Sequence, residues 1–164
     1  MTIAFMHALQ ARDYETASRE AGALVPPGFA EHLDDFFRYR LSQLDADPSI
    51  RQWLGRVIVL SDAGARPVIG SIGFHGPPDE RGRLEIGYRV ELSYRRRGFA
   101  REAVRAMFDW AVSTHGIHRF VASISPTNEP SLQLTAGLGF VETGSHIDEI
   151  DGLEIEFEAD WPRS

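Results

Sequence analysis

The stretch EIGYRVELSYRRRGFAR, residues 85–101 of a 164-residue chain, decides how the rest is read. With Leu84 just before it, Leu84, Ile86, Tyr88 and Val90 alternate with Glu85, Gly87, Arg89 and Glu91, the period-2 pattern of a half-buried strand. The strand runs into a tight basic loop, Arg95-Arg96-Arg97-Gly98-Phe99-Ala100, which opens directly into an amphipathic helix. Such a junction is an anion cradle. The first turn of a helix offers unpaired N–H groups and the positive end of its dipole. Gly98 reaches backbone angles closed to other residues, Ala100 keeps the next position small, and three arginines add charge. A charged loop with a glycine at a helix start is the blander reading of the same residues. No GxxxxGK[ST] occurs, nor any GxGxxG after a strand, so nucleotide-triphosphatase and dinucleotide-binding readings are excluded.

Outward from the loop, Phe99, Ala103, Val104, Met107, Phe108, Trp110 and Ala111 give the helix its apolar side, ending near His115-Gly116. A strand follows at Phe120–Ile124, a short helix at 128–137 and a strand at 139–147. In the last strand Leu153, Ile155, Phe157 and Ala159 alternate with Glu154, Glu156, Glu158 and Asp160. Upstream, Val57–Leu60 and Pro67–Phe74 read as strands joined by the turn Ser61-Asp62-Ala63-Gly64, and a second turn fills 76–82. Phe29, Leu33, Phe36, Phe37, Arg40, Leu41 and Leu44 recur at helical spacing, with Pro26-Pro27-Gly28 as the start signal and Asp47-Pro48 as the stop. A weaker periodicity gives a helix over 11–22, and residues 2–7 read as a short strand. Hairpins followed by a β-α-β unit predict one α/β domain over 1–164, a mixed sheet with helices on both faces.

Composition sets limits. Asp and Glu outnumber Lys and Arg by 24 to 17, a net charge of −7 that argues against broad nucleic-acid binding. The absence of cysteine excludes disulfides, thiolate metal sites and a cysteine nucleophile. No apolar run approaches the ~20 residues of a membrane span, and the amino terminus lacks a secretion pattern. A soluble cytoplasmic protein is the expectation.

The motif residues also carry a family resemblance. Arg95-x-x-Gly98-x-Ala100 resembles the [QR]-x-x-G-x-[GA] signature of the GNAT N-acetyltransferases. Glu85-Ile86-Gly87-Tyr88 before it and Arg101-Glu102-Ala103 after it resemble the branch of ribosomal-protein N-terminal acetyltransferases. A second landmark, Asn128-Glu129-Pro130-Ser131 followed by Leu138-Gly139-Phe140, is similar to that branch's N-x-x-S-x6-L-G-F pattern. The resemblance covers roughly 54–145; residues 1–50 share only helix placement. It implies a GNAT fold of the α+β kind, its mostly antiparallel sheet splayed at a β-bulge near Val90-Glu91-Leu92. It further implies an acetyl-CoA-binding core over 54–145, an acceptor-side region over 1–50 and a terminal strand over 146–164.

Read onto this sequence, the resemblance gives the strand segment Val90-Glu91-Leu92 to the pantetheine amides, which pair with it as an added strand would. The amides of Arg97, Gly98, Phe99 and Ala100 take the pyrophosphate, with Arg95 and Arg96 nearby. Asn128 faces the pantetheine and Ser131 the thioester sulfur; Asn128 before Glu129-Pro130 is equally a helix N-cap. An acetyl-CoA-dependent transfer to a primary amine follows, with no metal. A mostly protonated amine needs a base, and Glu85 is the candidate, its rival role a solvated strand carboxylate. The backbone N–H near Val90 would hold the acetyl oxygen. Many family members carry a tyrosine acid where this chain has Thr135, so Ser131 becomes the candidate proton donor. His75 either lines the acceptor site or merely ends a strand. Glu154, Glu156, Glu158 and Asp160 are either a solvated face or an attractor for a cationic acceptor. His115 and His118 lack the company a metal site needs. The acceptor is a protein N-terminus or a small amine, and dimers are common among such folds, which makes a homodimer a partner to test. A noncatalytic acyl-CoA sensor is the alternative.

Overall fold

A computed structural model describes residues 1–31, 33–61, 64–149 and 152–162. His32 and the Asp62-Ala63 tip of the first predicted turn lie outside the described residues. The chain forms two compact units, Met1–Gly73 with Arg89–Arg95, and Phe74–Tyr88 with Arg96–Ser164.

The first unit begins with a helix, α1 (Ile3–Gln10), where a strand was expected. The run Ile3-Ala4-Phe5-Met6 is apolar enough for either, but Phe5, Met6, Ala8 and Leu9 are the buried positions, which is helical spacing. The Thr2 hydroxyl accepts from the Phe5 N–H at 2.9 Å and caps the helix. Asp13 caps α2 (Tyr14–Ala21) in the same way, and left-handed Gly22 closes it. The third helix starts later than the Pro26-Pro27-Gly28 signal indicates. Residues 27–31 form turns in which Ala30 takes φ 63°, and α3 spans Asp34–Ala46. The core of this unit gathers Phe5, Leu9, Val25, Phe37, Leu44 and Val68, all at least 97% buried. The unit also holds β1 (Arg56–Val59), antiparallel to β2 (Val68–Phe74) with a register shift at Ile58/Val59.

The second unit holds most of β3 (Arg83–Val90), with α4 (Phe99–His115), β4 (Arg119–Ile124), α5 (Glu129–Leu138), β5 (Val141–Asp148) and β6 (Gly152–Asp160). The strands run in the order β1-β2-β3-β4-β6-β5. β4 pairs antiparallel with β6 and β6 with β5, so the sheet is mixed and mostly antiparallel, as the resemblance implies. The parallel register of β3 with β4 covers Arg83–Glu85 against Arg119–Val121 and stops there, although β3 continues to Val90. That loss of pairing is the splay. At Val90-Glu91-Leu92 the irregularity takes the form of a strand end, with a 3-10 turn over Leu92–Tyr94.

Aromatic packing fixes α4 in this unit. Phe108 is fully buried and stacks on Phe120 with ring centroids 3.8 Å apart, and Phe120 stacks on Phe74 at 6.1 Å. Phe140, of the Gly139-Phe140 pair, packs on Phe108 at 6.0 Å, so that landmark serves the core.

Candidate active site

The loop before α4 has an unusual backbone. Arg96 (φ 60°) and Gly98 (φ 86°, ψ −8°) both take left-handed angles, the kind of backbone from which anion-binding nests are made. No side chain caps the helix, so its first-turn amides carry no intrahelical partner. A Cβ placed on Gly98 would meet nothing within 4 Å, so the space above it is open. Gly98 also borders a depression of about 440 Å³ shared with Arg101, Glu102, Arg105, Ala106 and Asp109. A larger cavity, about 720 Å³, lies in the first unit between Phe5, Glu20, Arg51 and Arg56 and contains none of the motif residues.

Arg95 does something different from the other two arginines. Its Nε donates to the Val90 carbonyl at 2.7 Å, closing the turn that ends β3. The Glu91 N–H donates to the Ile69 carbonyl at 2.8 Å. Two main-chain groups of the expected pantetheine segment are therefore already engaged, although a carbonyl keeps a second lone pair.

On β3, Glu85 sits level with Val121, and Val121 with Glu158, which places all three on one sheet face. Its carboxylate Oε1 lies 3.4 Å from His75 Nδ1, with side chains 34% and 52% exposed respectively. The His75 main-chain N–H also donates to the Glu85 carbonyl at 2.9 Å. Burial pushes the Glu85 carboxyl up, but hydrogen bonds from His75 and Ser123, with the charges of His75 and His146, outweigh it and hold the group below its ordinary value. Gly87 makes room for this arrangement, since a Cβ there would stand 2.7 Å from His75 Nε2. His75 is thus an active neighbour of Glu85, a link that sequence reasoning did not make.

The stripe Glu154, Glu156 and Glu158 shares that face but is not freely solvated, a correction to one of the two sequence readings. Glu154 and Glu158 are 18% and 19% exposed and Glu156 is 31% exposed. Arg83, only 13% exposed, reaches Asp79, Glu156 and Glu158, while Arg119 also binds Glu158 at 3.1 Å and His146 approaches Glu154 at 3.6 Å. Asp79 first, and then Glu158, hold the Arg83 guanidinium still more firmly protonated. A stripe of alternating acids looks solvent-facing in sequence; the arginine that donates to Glu156 and Glu158 lies 73 and 75 residues away in the chain.

Helix α5 carries the second landmark. Asn128 is its N-cap, Oδ1 accepting from the Ser131 N–H at 3.3 Å. Thr135 is 2% exposed, and its hydroxyl donates to the Ser131 and Leu132 carbonyls at 3.0 Å each. Its proton is committed to the main chain. Tyr88 of β3 is the residue sequence reasoning passed over. Its hydroxyl oxygen is enclosed without a hydrogen bond of ordinary length and angle. Burial raises the phenol above its ordinary value, against a smaller lowering by the Ser131 side chain. The one sequence signal for it is negative: a tyrosine placed among Leu84, Ile86 and Val90 must bury a hydroxyl.

Comparison with known proteins bears on the family and the fold. Residues 9–141 match the acetyltransferase (GNAT) domain family. The uncharacterized N-acetyltransferase YjdG of Bacillus subtilis is 36% identical over 74 residues, covering 45% of this chain and 44% of that protein. The uncharacterized N-acetyltransferase p20 of Bacillus licheniformis is 38% identical over 77 residues, covering 47% and 43%. The matched stretch thus takes in less than half the length of these curated relatives. Among solved structures, ribosomal-protein-S5-alanine acetyltransferase of Vibrio fischeri superposes with a TM-score of 0.58 at 19% identity, over 96% of this chain and 87% of that one. A mutant of the spermidine N-acetyltransferase SpeG of Vibrio cholerae gives 0.59 at 16%, over 77% and 75%.

Proposed function

This chain belongs to the GNAT acetyltransferase family, and from that premise we propose that it moves an acetyl group from acetyl-coenzyme A to a primary amine, both substrates bound at once. The observation that carries the reading is the pair of left-handed residues, Arg96 and Gly98, set immediately before an uncapped helix. That geometry fits a pyrophosphate, and the open space above Gly98 leaves room for its oxygens. Phe99 and Ala100 would add their amides, Arg96 and Arg97 their charge, and the segment Val90-Glu91-Leu92 its remaining main-chain groups to the pantetheine. Asn128, besides capping α5, would turn toward the same arm.

When bound, the thioester supplies an activated acetyl carbon and a thiolate that leaves readily. The work of this chain is then to free the amine lone pair, hold the carbonyl oxygen and meet the sulfur. Glu85, kept ionised by His75 and Ser123, would draw the amine's proton directly or through water. The N–H near Val90 would hold the developing oxyanion. With no cysteine in the chain, direct attack is the economical route.

The acceptor is a protein N-terminus or a small amine. Structural neighbours act on ribosomal-protein alanine and on spermidine, so alanyl and seryl peptides and spermidine form the panel to try first. A second reading, an acyl-CoA sensor that does not turn over, draws on the buried and occupied Thr135 hydroxyl. Calorimetry with acetyl-CoA tests the binding half: Gly98→Val forces a β-branched residue to φ 86° and should weaken affinity at least about tenfold. A folded Gly98→Val protein of unchanged affinity would sink the reading. Acetyl release across the amine panel then separates enzyme from sensor.

A further inference from the structure

The first unit holds a cavity that the acetyl-transfer reading leaves unused. We propose that it is a binding site for a small organic carboxylate, the anion held by Arg51 and Arg56 and its carbon body laid against Ala21 and Val57. This site stands apart from the acetyl-transfer reading, and its test needs no acetyl-coenzyme A.

The space is of the right size and is walled from several elements. At about 720 Å³ it lies within the ~300–1,000 Å³ range of small-molecule sites. The end of α2 supplies Glu20 and Ala21, a 3-10 turn over Pro48–Gln52 supplies Arg51, and the start of β1 supplies Arg56 and Val57. Ala21 and Val57 are half-buried, so each keeps apolar surface to offer a ligand. Arg56 Nη2 donates to the Gln52 carbonyl at 3.4 Å, which ties the strand to the turn that carries the other arginine.

Charge decides what such a space would hold. In a chain of net charge −7, two arginines and one glutamate border this cavity, a local reversal of sign. The glutamate is already engaged, since Glu20 Oε2 accepts from the Thr2 hydroxyl at 2.7 Å. Among the described residues, no carboxylate forms an ion pair with Arg51. Burial draws the Arg56 guanidinium below its ordinary value, although an arginine keeps its charge at any ordinary pH. The Met1 amino group on the same wall is also pushed down, by burial first and then by Arg51 and Arg56, so both arginines act on one space. Arg51 further borders a smaller space against Arg40, which is 8% exposed and stands over the Phe36 ring at 5.0 Å. A carboxylate would relieve this crowding of like charge, and its two oxygens match the planar guanidinium fork. A bare phosphate would leave the apolar part of the wall wet, whereas an aliphatic or aromatic acid covers it.

The probes are benzoate and hexanoate, with methyl benzoate as the uncharged counterpart and inorganic phosphate as the bare anion. Calorimetry and two-dimensional NMR are run on the whole chain. The two acids should bind saturably and shift the main-chain amides of Arg51, Leu54 and Val57, while methyl benzoate and phosphate should bind at least about tenfold more weakly. Arg51→Gln and Arg56→Gln should each weaken binding of the acids about tenfold, the contribution of one hydrogen bond to a charged group. Arg38→Gln removes an exposed cation of α3 that is already paired with Asp35 at 2.7 Å, and it should change nothing. Thermal unfolding checks that each variant is folded. Arg51 is exposed, so Arg51→Gln decides alone if Arg56→Gln fails to fold. Unchanged affinity in folded Arg51→Gln overturns the assignment. So does the absence of saturable binding by either acid, an equal affinity for methyl benzoate or phosphate, or shifts that fall on residues 97–100 instead of 51–57. A chain that binds these acids but no coenzyme A would end the acetyl-transfer reading and leave this site standing.

Discussion

Replacing Gly87 by alanine tests whether His75 sets the proton affinity of Glu85, and it does so without altering either titrating group. The added Cβ would lie 2.7 Å from His75 Nε2 and 3.2 Å from Cδ2, whereas ordinary contact begins at 3.4 Å. The imidazole is the free end of a half-exposed side chain, so it yields rather than the backbone. Its Nδ1 already stands 3.4 Å from Glu85 Oε1, at the outer edge of hydrogen bonding, and a shift of that size breaks the pair. With His75 gone, burial of Glu85 acts against weaker opposition from Ser123 and His146, and the carboxyl titrates at higher pH. Stability should change little. A partly exposed pair contributes about 0–1 kcal/mol, and a glycine-to-alanine change in a strand returns about 0.4–1 kcal/mol through the unfolded chain. The small loss has a sign: a carboxyl held below its ordinary value stabilises the fold above the unfolded-state value, and that contribution fades as pH falls through the folded one. The assay is an NMR titration of the Glu85 carboxyl in both proteins, paired with the acid limb of the single-turnover rate. Both should move to higher pH in Gly87→Ala. A carboxyl that titrates identically in the two proteins would refute the claim that His75 governs it.

Other outcomes follow from the same geometry. Arg83→Met strips the half-buried Glu156 and Glu158 of their shared partner and should cost about 2 kcal/mol, below the 3–5 of a fully buried pair; thermal unfolding should fall by about 4–8 °C, and an unchanged midpoint would restore the solvated-face reading. Thr135→Val removes a hydroxyl that serves only the main chain, so turnover should stay near wild type while stability drops by about 1 kcal/mol. Full coenzyme A should bind less tightly as salt rises, and more steeply than dephospho-coenzyme A, if Arg96 and Arg97 act through charge; calorimetry at two ionic strengths that finds no salt effect would leave the work to backbone amides.

The regular strands and α4 were legible because their periods are strong and their punctuation is local: Gly98 before the helix, Gly116 after it, and alternation along 84–91 and 153–160. The N-terminus misled because Ile3-Ala4-Phe5-Met6 satisfies both periods over so short a span, and the Thr2 cap that decides it is a weak signal. The start of α3 slipped because Pro26-Pro27-Gly28 marks a turn as readily as a helix. Of the candidate site, the left-handed glycine before α4 and the Asn128 cap could be read because each signal is contiguous. The Glu85–His75 relation could not, being fixed by how His75 folds back beside β3 rather than by spacing. Arg95 was set near the pyrophosphate with Arg96, as the first residue of the signature, yet its side chain turns back to the Val90 carbonyl.

Left-handed Arg96 has a consequence for the timing of cost. A residue with a Cβ held at φ 60° carries roughly 1–2 kcal/mol of strain, a cost that belongs to the loop's own fold. The expense is met when α4 folds, once in the life of the molecule, and not at every encounter with a ligand. A loop that had to rearrange would subtract that sum from each binding event and slow it. Were this loop to take a pyrophosphate as proposed, a shape already built by the fold would leave its affinity to be set by the contacts alone.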